Sequence, residues 1–176
     1  MVLDTARADA FEPYGAPLGS TPAFRGLADA GHAAPAMHAA SSWTLPSHAA
    51  MFSGLTPRRA GLVRAPKRTP PSCKPVMEHL RPRLLPEVLR SAGYETRGVS
   101  ANLWISATSG FDTGFDEFVS IRNHRNTAMI EPGPRSALRW AWHSLRCLED
   151  DGATLADATI ARFLAQSSRQ PLFWGS

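Results

Sequence analysis

Two stretches of this chain read as a helix that runs directly into a strand, and they constrain the fold more than anything else in it. In LLPEVLRSAGYETRGVS a helix ends at Gly93 and a strand follows from about Glu95 to Ser100. In TLADATIARFLAQSSRQPLFWGS a second helix leads into a strand that begins at QPLFW. Strands separated by helical crossovers line up parallel, because a tight hairpin can only reverse the chain. The expectation is therefore an α/β fold, with a mostly parallel sheet flanked by helices on both faces. In such sheets ligands gather at the carboxyl ends of the strands.

The other segments fill in that frame. MVLD reads as the end of a short strand, with Asp4 at its tip. In STPAFRGLADAGH, Thr21 is placed to cap a helix, Pro22 fits the first helical position, and Gly31 fits a left-handed stop. HAAPAMHAA reads as a short strand interrupted by Pro35. Thr44 to Ser53 reads as a helix with Pro46 in its first turn and Gly54 as its stop, and GFDTGFDEFVS supplies turns and a short strand near Phe118. SALRWAWHSLRCLED is amphipathic: Leu138, Ala141, Leu145 and Leu148 share one face, and Arg135, Arg139, His143 and Arg146 the other. That basic face is expected to be solvated, with a membrane-surface helix as the alternative. No internal repeat is present.

At 176 residues, 43% hydrophobic and 19% charged, the chain is expected to form one globular domain, residues 1–176, with a real core. No apolar run approaches the roughly 20 residues of a membrane helix. The N-terminus shows no charged stretch followed by an apolar one, so no secretory signal is read, and a genuine N-terminus implies a cytoplasmic protein. Cys73 and Cys147 form no CxxC spacing and are expected to be idle thiols.

The net charge of +4 is unevenly spread. Arg58, Arg59, Arg64, Lys67, Arg68, Lys74, Arg81 and Arg83 face a single acid, Glu78, within one proline-rich segment expected to be an extended surface loop. Such a segment attracts polyanions. No aromatic residue lies between Leu55 and Gly93, so platforms for stacking bases are missing and no nucleic-acid partner is expected. A basic nucleic-acid-binding protein stays the weaker alternative.

The stretch SSWTLPSHAAMFSG carries the chemistry. Thr44 stands where a helix begins, either as its cap or as a nucleophile. The first N–H groups of a helix lack partners within it, and the helix dipole adds partial positive charge there. A sulfate or phosphate is favoured at such a place. A threonine hydroxyl is a weak nucleophile that needs a base or a metal. A divalent cation held by Asp4 would lower the hydroxyl's pKa and polarise the ester oxygens. Ser47 and His48 lie one turn on, within reach of a substrate.

VLDTARADAFEPYG, STPAFRGLADAG and WTLPSHAAMFSGLTPRRAG, followed by LPEVLRSAGYETRGVSANLWIS and GFDTGFDEF in that order, resemble the N-terminal part of the sulfatase family, within the alkaline phosphatase superfamily. DATIARFLAQSSRQPLFW resembles the helix and strand that precede the family's central metal-binding segment. The resemblance implies an alkaline phosphatase-like fold and a metal-dependent hydrolase or transferase of sulfate or phosphate esters. Asp4 matches the family's first metal-binding acid, and Thr5 stands where arylsulfatases usually carry a second Asp. Thr44 matches the nucleophile, which also contacts the metal, at the head of the C/S-x-P-S-R motif; here that motif reads Thr44-Leu45-Pro46-Ser47-His48. Threonine cannot be oxidised to formylglycine, because its β-carbon carries a methyl group. A Thr nucleophile with one early acid is similar to the phosphoethanolamine and lipoteichoic-acid transferases of the superfamily. His48 joins Thr44 as the catalytic pair, Ser47 as a substrate contact, and Asn102 stands in for the polar residues of the family's G-K-W-H segment.

The resemblance further implies a divalent metal ion (Ca, Mg or Mn) and a small-molecule, glycan or lipid ester as substrate, with the oligomeric state left open. No Asp-His or Asp-Asn pair like the family's late metal ligands occurs in the sequence. The expectation is therefore a sheet incomplete at its C-terminal end, a truncated copy of the catalytic domain, and very low turnover from the chain by itself. The alternative from a different class is a degenerate, non-catalytic relative that binds an anionic ligand or a partner.

Overall fold

The structure, a computed structural model, describes residues 1–63, 72–121 and 152–166, positions 134, 138, 141 and 142, and the backbone of 171–175. The chain forms two compact units, residues 2–39 and residues 40–176 together with Met1.

The smaller unit is built around α1 (Pro22–Ala30), preceded by two 3-10 turns at Ala8–Ala10 and Glu12–Tyr14. Pro22 opens α1, as its fixed φ suits. Thr21 does not cap the helix with its side chain. Its Oγ1 instead accepts the Glu12 N–H at 2.9 Å, while its own N–H donates to Glu12 Oε1 at 2.7 Å. This reciprocal pair ties the 3-10 turn to the helix start, and Phe11 closes edge-on against Phe24 at 4.7 Å between ring centroids. Gly31 ends α1 at φ −136°, not in the left-handed region.

Neither strand expected in this region is present. Met1–Leu3 is irregular and leads into a turn at Asp4–Thr5, where Thr5 takes φ +59°. His32–Ala40 is irregular as well. Alanine packs poorly on a pleated surface, and Pro35 removes a ladder donor.

The larger unit begins with α2 (Thr44–Ser53), which has the expected bounds. Leu45, Ala49 and Phe52 recur at helical spacing and are buried, and Gly54 closes the helix at φ +68° with its N–H on the Ala50 carbonyl. The segment after it is not one extended loop. Pro57–Ala60 forms α3 and Lys74–Leu80 forms α4, each with a proline in its first turn. Both reach the core through small or apolar positions: Ala60, Leu62, Cys73, Met77 and Leu80 join Leu45, Ala49, Phe52, Leu84, Ile105 and Phe111 in one buried cluster. Residues 64–71 of that segment, and most of the amphipathic 136–150 stretch, lie outside the described residues.

α5 (Leu85–Ser91) follows, and Gly93 at φ +88° turns the chain into β1 (Glu95–Ser100). β1 is the middle strand of a three-stranded parallel sheet, with β2 (Glu117–Ser120) on one side and β3 (Pro171–Gly175) on the other. Gly98 lies opposite Phe118 and Trp174 in register. Alternation along β1 serves two cores. Val99 meets Phe163 and Ile160 of α6 (Ala153–Gln166), and Arg97 Nη1 donates to the Phe163 carbonyl at 2.8 Å. Gly98, on the opposite face, lies against Phe115 and Phe118, and Phe115 packs on the larger cluster. The fold is thus α/β, a parallel sheet flanked by helices.

Candidate active site

Trp43 is the N-cap of α2, and Thr44 is its first helical residue. The hydroxyl therefore sits on the first turn, where main-chain N–H groups point out of the helix and the dipole is positive. Pro46 has no N–H to add to that set. The Ser47 N–H reaches back to the Trp43 carbonyl at a long 3.4 Å.

The Ser47 hydroxyl donates to the Ser41 carbonyl at 2.8 Å, tying the incoming chain to the first turn. His48 is 2% exposed. Its Nδ1 lies 3.0 Å from the carbonyl oxygen of Thr44. A carbonyl oxygen only accepts, so Nδ1 carries the hydrogen of that bond. The imidazole meets Phe111 edge-on, with centroids 6.3 Å apart and planes at 90°. Beneath the turn, Leu45 and Ala49 are fully buried, so the first turn is seated on the core of its own unit.

Asn102 sits just past the carboxyl end of β1. Its Oδ1 accepts the Trp104 N–H at 2.8 Å, and its own N–H donates to Ser100 Oγ at 3.1 Å. The side-chain oxygen thus shapes the turn that leaves the strand. Trp104 and Ile105, which follow, pack on the same cluster as Leu45 and Ala49. One helical turn gathers Thr44, Ser47 and His48; Asn102 lies at the sheet's carboxyl edge. Asp4 lies in the smaller unit, at an irregular turn, not at the tip of a strand.

Trp43 and Phe111 border this turn, and Ser100 borders Asn102. Trp43 is the cap position. Phe111 is the surface against which His48 is set. Ser100, 1% exposed, is the last residue of β1 and binds the Asn102 backbone. Only Ser100 carried a sequence signal, as the final residue of a strand in a fold whose ligands gather at such ends.

Arg81 pairs with Glu78 and Glu87, and its guanidinium holds the Glu78 carboxyl below the usual range. Cys73 is buried in the cluster, and its burial pushes the thiol's pKa up. A thiol so placed stays protonated and inert at neutral pH.

Mg²⁺ needs about six oxygen ligands and Ca²⁺ six to eight. Among the described residues, no group of three or more His, Cys, Asp or Glu side chains is placed to hold a metal ion. Among them, too, no helix is long and apolar enough to cross a membrane.

The sulfatase family matches the chain over residues 1–173, and the chain belongs to that family, within the alkaline phosphatase superfamily. It is a sulfatase-like hydrolase of a family that acts on sulfate esters and generally uses a divalent metal. No curated protein and no solved structure matches the chain.

Proposed function

We propose that the chain carries the attacking group of a sulfate- or phosphate-ester hydrolase or transferase, and that this group is the hydroxyl of Thr44. The observation that carries the reading is the place of Thr44: first residue of a ten-residue helix, in a chain of the sulfatase family, at the position to which the sequence resemblance assigns the nucleophile. The helix N-terminus would receive the oxyanion. Thr44 Oγ would form a bond to sulfur or phosphorus as the bond to the ester oxygen breaks. The leaving group departs as its alkoxide or phenolate, and the hydroxyl proton passes to solvent. Water or an acceptor alcohol then releases the group from Thr44. Ser47 and Asn102 are assigned to substrate contacts, His48 to the support of the turn that bears Thr44, and Asp4 to the metal side of the family's chemistry.

A second reading draws support from the sparse metal donors among the described residues: a non-catalytic relative that binds the anion without reaction. One experiment separates the two. The protein is incubated with an aryl sulfate and an aryl phosphate, digested, and the Thr44 peptide is examined by mass spectrometry. A sulfo or phospho group on Thr44, absent from Thr44→Ala, is the expected result. Anion binding with no adduct in the unsubstituted protein would replace the catalytic reading with the binding one.

A further inference from the structure

We infer that His48 is a positioning residue for Thr44, acting through the main chain of the nucleophile; the inference rests on the reading of Thr44 as the attacking group. Three observations carry it. The imidazole is 2% exposed, on the face of α2 that turns into the core. Its Nδ1–H bonds the Thr44 carbonyl one turn back, at 3.0 Å. The edge contact with Phe111 fixes the ring plane.

The physical sense is local. Thr44 is the first helical residue, and helix ends fray. The residue before it is Trp43, whose side chain supplies no cap hydrogen bond. Pro46 removes a first-turn donor, and the Ser47 N–H bond is long. A side-chain donor from the second turn to the Thr44 carbonyl pins φ and ψ of the residue that bears the hydroxyl. Small displacements of an attacking atom are costly, because a reacting pair must sit about 3 to 3.5 Å apart and aligned. The same bond accounts for a histidine at this point of the motif: its ring is long enough to reach back one turn and flat enough to lie against Phe111.

The test uses two substitutions that divide the ring between them. In His48→Asn the amide nitrogen falls where Nδ1 was, and the bond to Thr44 survives. In His48→Gln the amide falls near the Nε2 position, and that bond is lost. The rate of adduct formation on Thr44 from an aryl phosphate is expected to stay within about threefold for His48→Asn and to fall at least tenfold for His48→Gln. Independently of any reaction, nitrogen NMR of the unsubstituted protein should show His48 with its hydrogen on Nδ1. The Thr44 carbonyl carbon shift should move in His48→Gln and hold in His48→Asn. Equal loss in both variants, or a ring protonated on Nε2 alone, would overturn the inference. If the unsubstituted protein forms no adduct, the reading of Thr44 as nucleophile fails. The tautomer and the carbonyl shift then still decide whether His48 holds the turn.

Discussion

Gly98 of β1 leaves the space that the ring of Phe118 in β2 fills: a β-carbon at Gly98 would stand 2.6 Å from Phe118 Cδ2 and 3.2 Å from Phe115 Cε1. The middle strand of the sheet is thus fitted to its neighbour by the absence of a side chain. Phe115 and Phe118 in turn pack with their rings tilted at 55°, 5.4 Å between centroids, and carry that contact toward the larger core.

Adding a methyl group there must move a ring or the strand. Gly98→Ala is expected to destabilise the protein by about 1–3 kcal/mol, the usual range for overpacking. The urea midpoint reads this directly. An unchanged midpoint would mean that Phe118 swings aside at no cost.

Leu45 follows Thr44 in the chain and is fully buried. Leu45→Ala should cost about 2–5 kcal/mol, because it removes contacts and leaves a cavity under the first turn of α2. Leu45→Met keeps the volume and should cost less than about 1.5 kcal/mol. Denaturant titration of both variants checks the pair, and equal losses would show that the turn is not seated on Leu45.

The parts of the fold legible in the sequence were those governed by local chemistry. Gly54 and Gly93 mark their helix ends because only a left-handed residue completes the turn there. β1 is legible because Thr96 to Ser100 is bounded by that stop and is buried along its length. Thr44, Ser47 and His48 were legible as a group because helical spacing alone brings them together. What failed depended on partners distant in sequence. Met1–Leu3 and His32–Ala40 look like strands only if a neighbouring ladder exists to hold them. Thr21 is a good cap by type, but Glu12, nine residues earlier, competes for its hydroxyl. The basic segment looked like a loop because of its prolines, yet Pro57 and Pro75 sit where a helix start accepts them. The bond from His48 to the Thr44 carbonyl depends on a rotamer, which spacing does not specify.

Cys73 provides a test of the larger core with a pH dependence. Burial raises its pKa in the folded state above that of the unfolded chain. Its contribution to stability is therefore complete below about pH 8.5, the ordinary thiol value, and is lost as pH rises through the folded pKa. Alkylation at pH 7.5, followed by peptide mapping to separate Cys73 from Cys147, should leave Cys73 unmodified in the folded protein. In urea it should be modified fully. Rapid labelling of Cys73 in the native state would place it outside the core.

Thr44 should be chemically unmodified in the purified protein. The family's aldehyde arises from a side chain with a CH₂ carrying sulfur or oxygen, and the methyl group on the β-carbon of threonine blocks that route. The intact mass of the peptide spanning Ser41 to Arg58 checks this, and any oxidation localised to Thr44 would contradict it.

Metal binding provides the sharpest measure of how far the site is assembled. The family generally uses a divalent ion, yet among the described residues no three acidic, histidine or cysteine side chains are placed to hold one. The family resemblance assigns one carboxylate, Asp4, and one hydroxyl, Thr44, against the six or more oxygens such ions require. The expected dissociation constant for Mg²⁺ or Ca²⁺ is therefore about 1 mM or weaker. At 1 mM metal, a ligand bound that weakly stabilises the folded state by only about 0.4 kcal/mol. For a chain of this size that is roughly 1 °C in Tm. A site with a dissociation constant near 10 μM would contribute about 2.7 kcal/mol and raise Tm by roughly 5–10 °C. Thermal scans with 1 mM Mg²⁺, Ca²⁺ and Mn²⁺, each repeated on Asp4→Ala, distinguish the two cases. A rise above about 5 °C that Asp4→Ala abolishes would show that the chain assembles a complete metal site around Asp4, with more ligands than Asp4 and Thr44 supply.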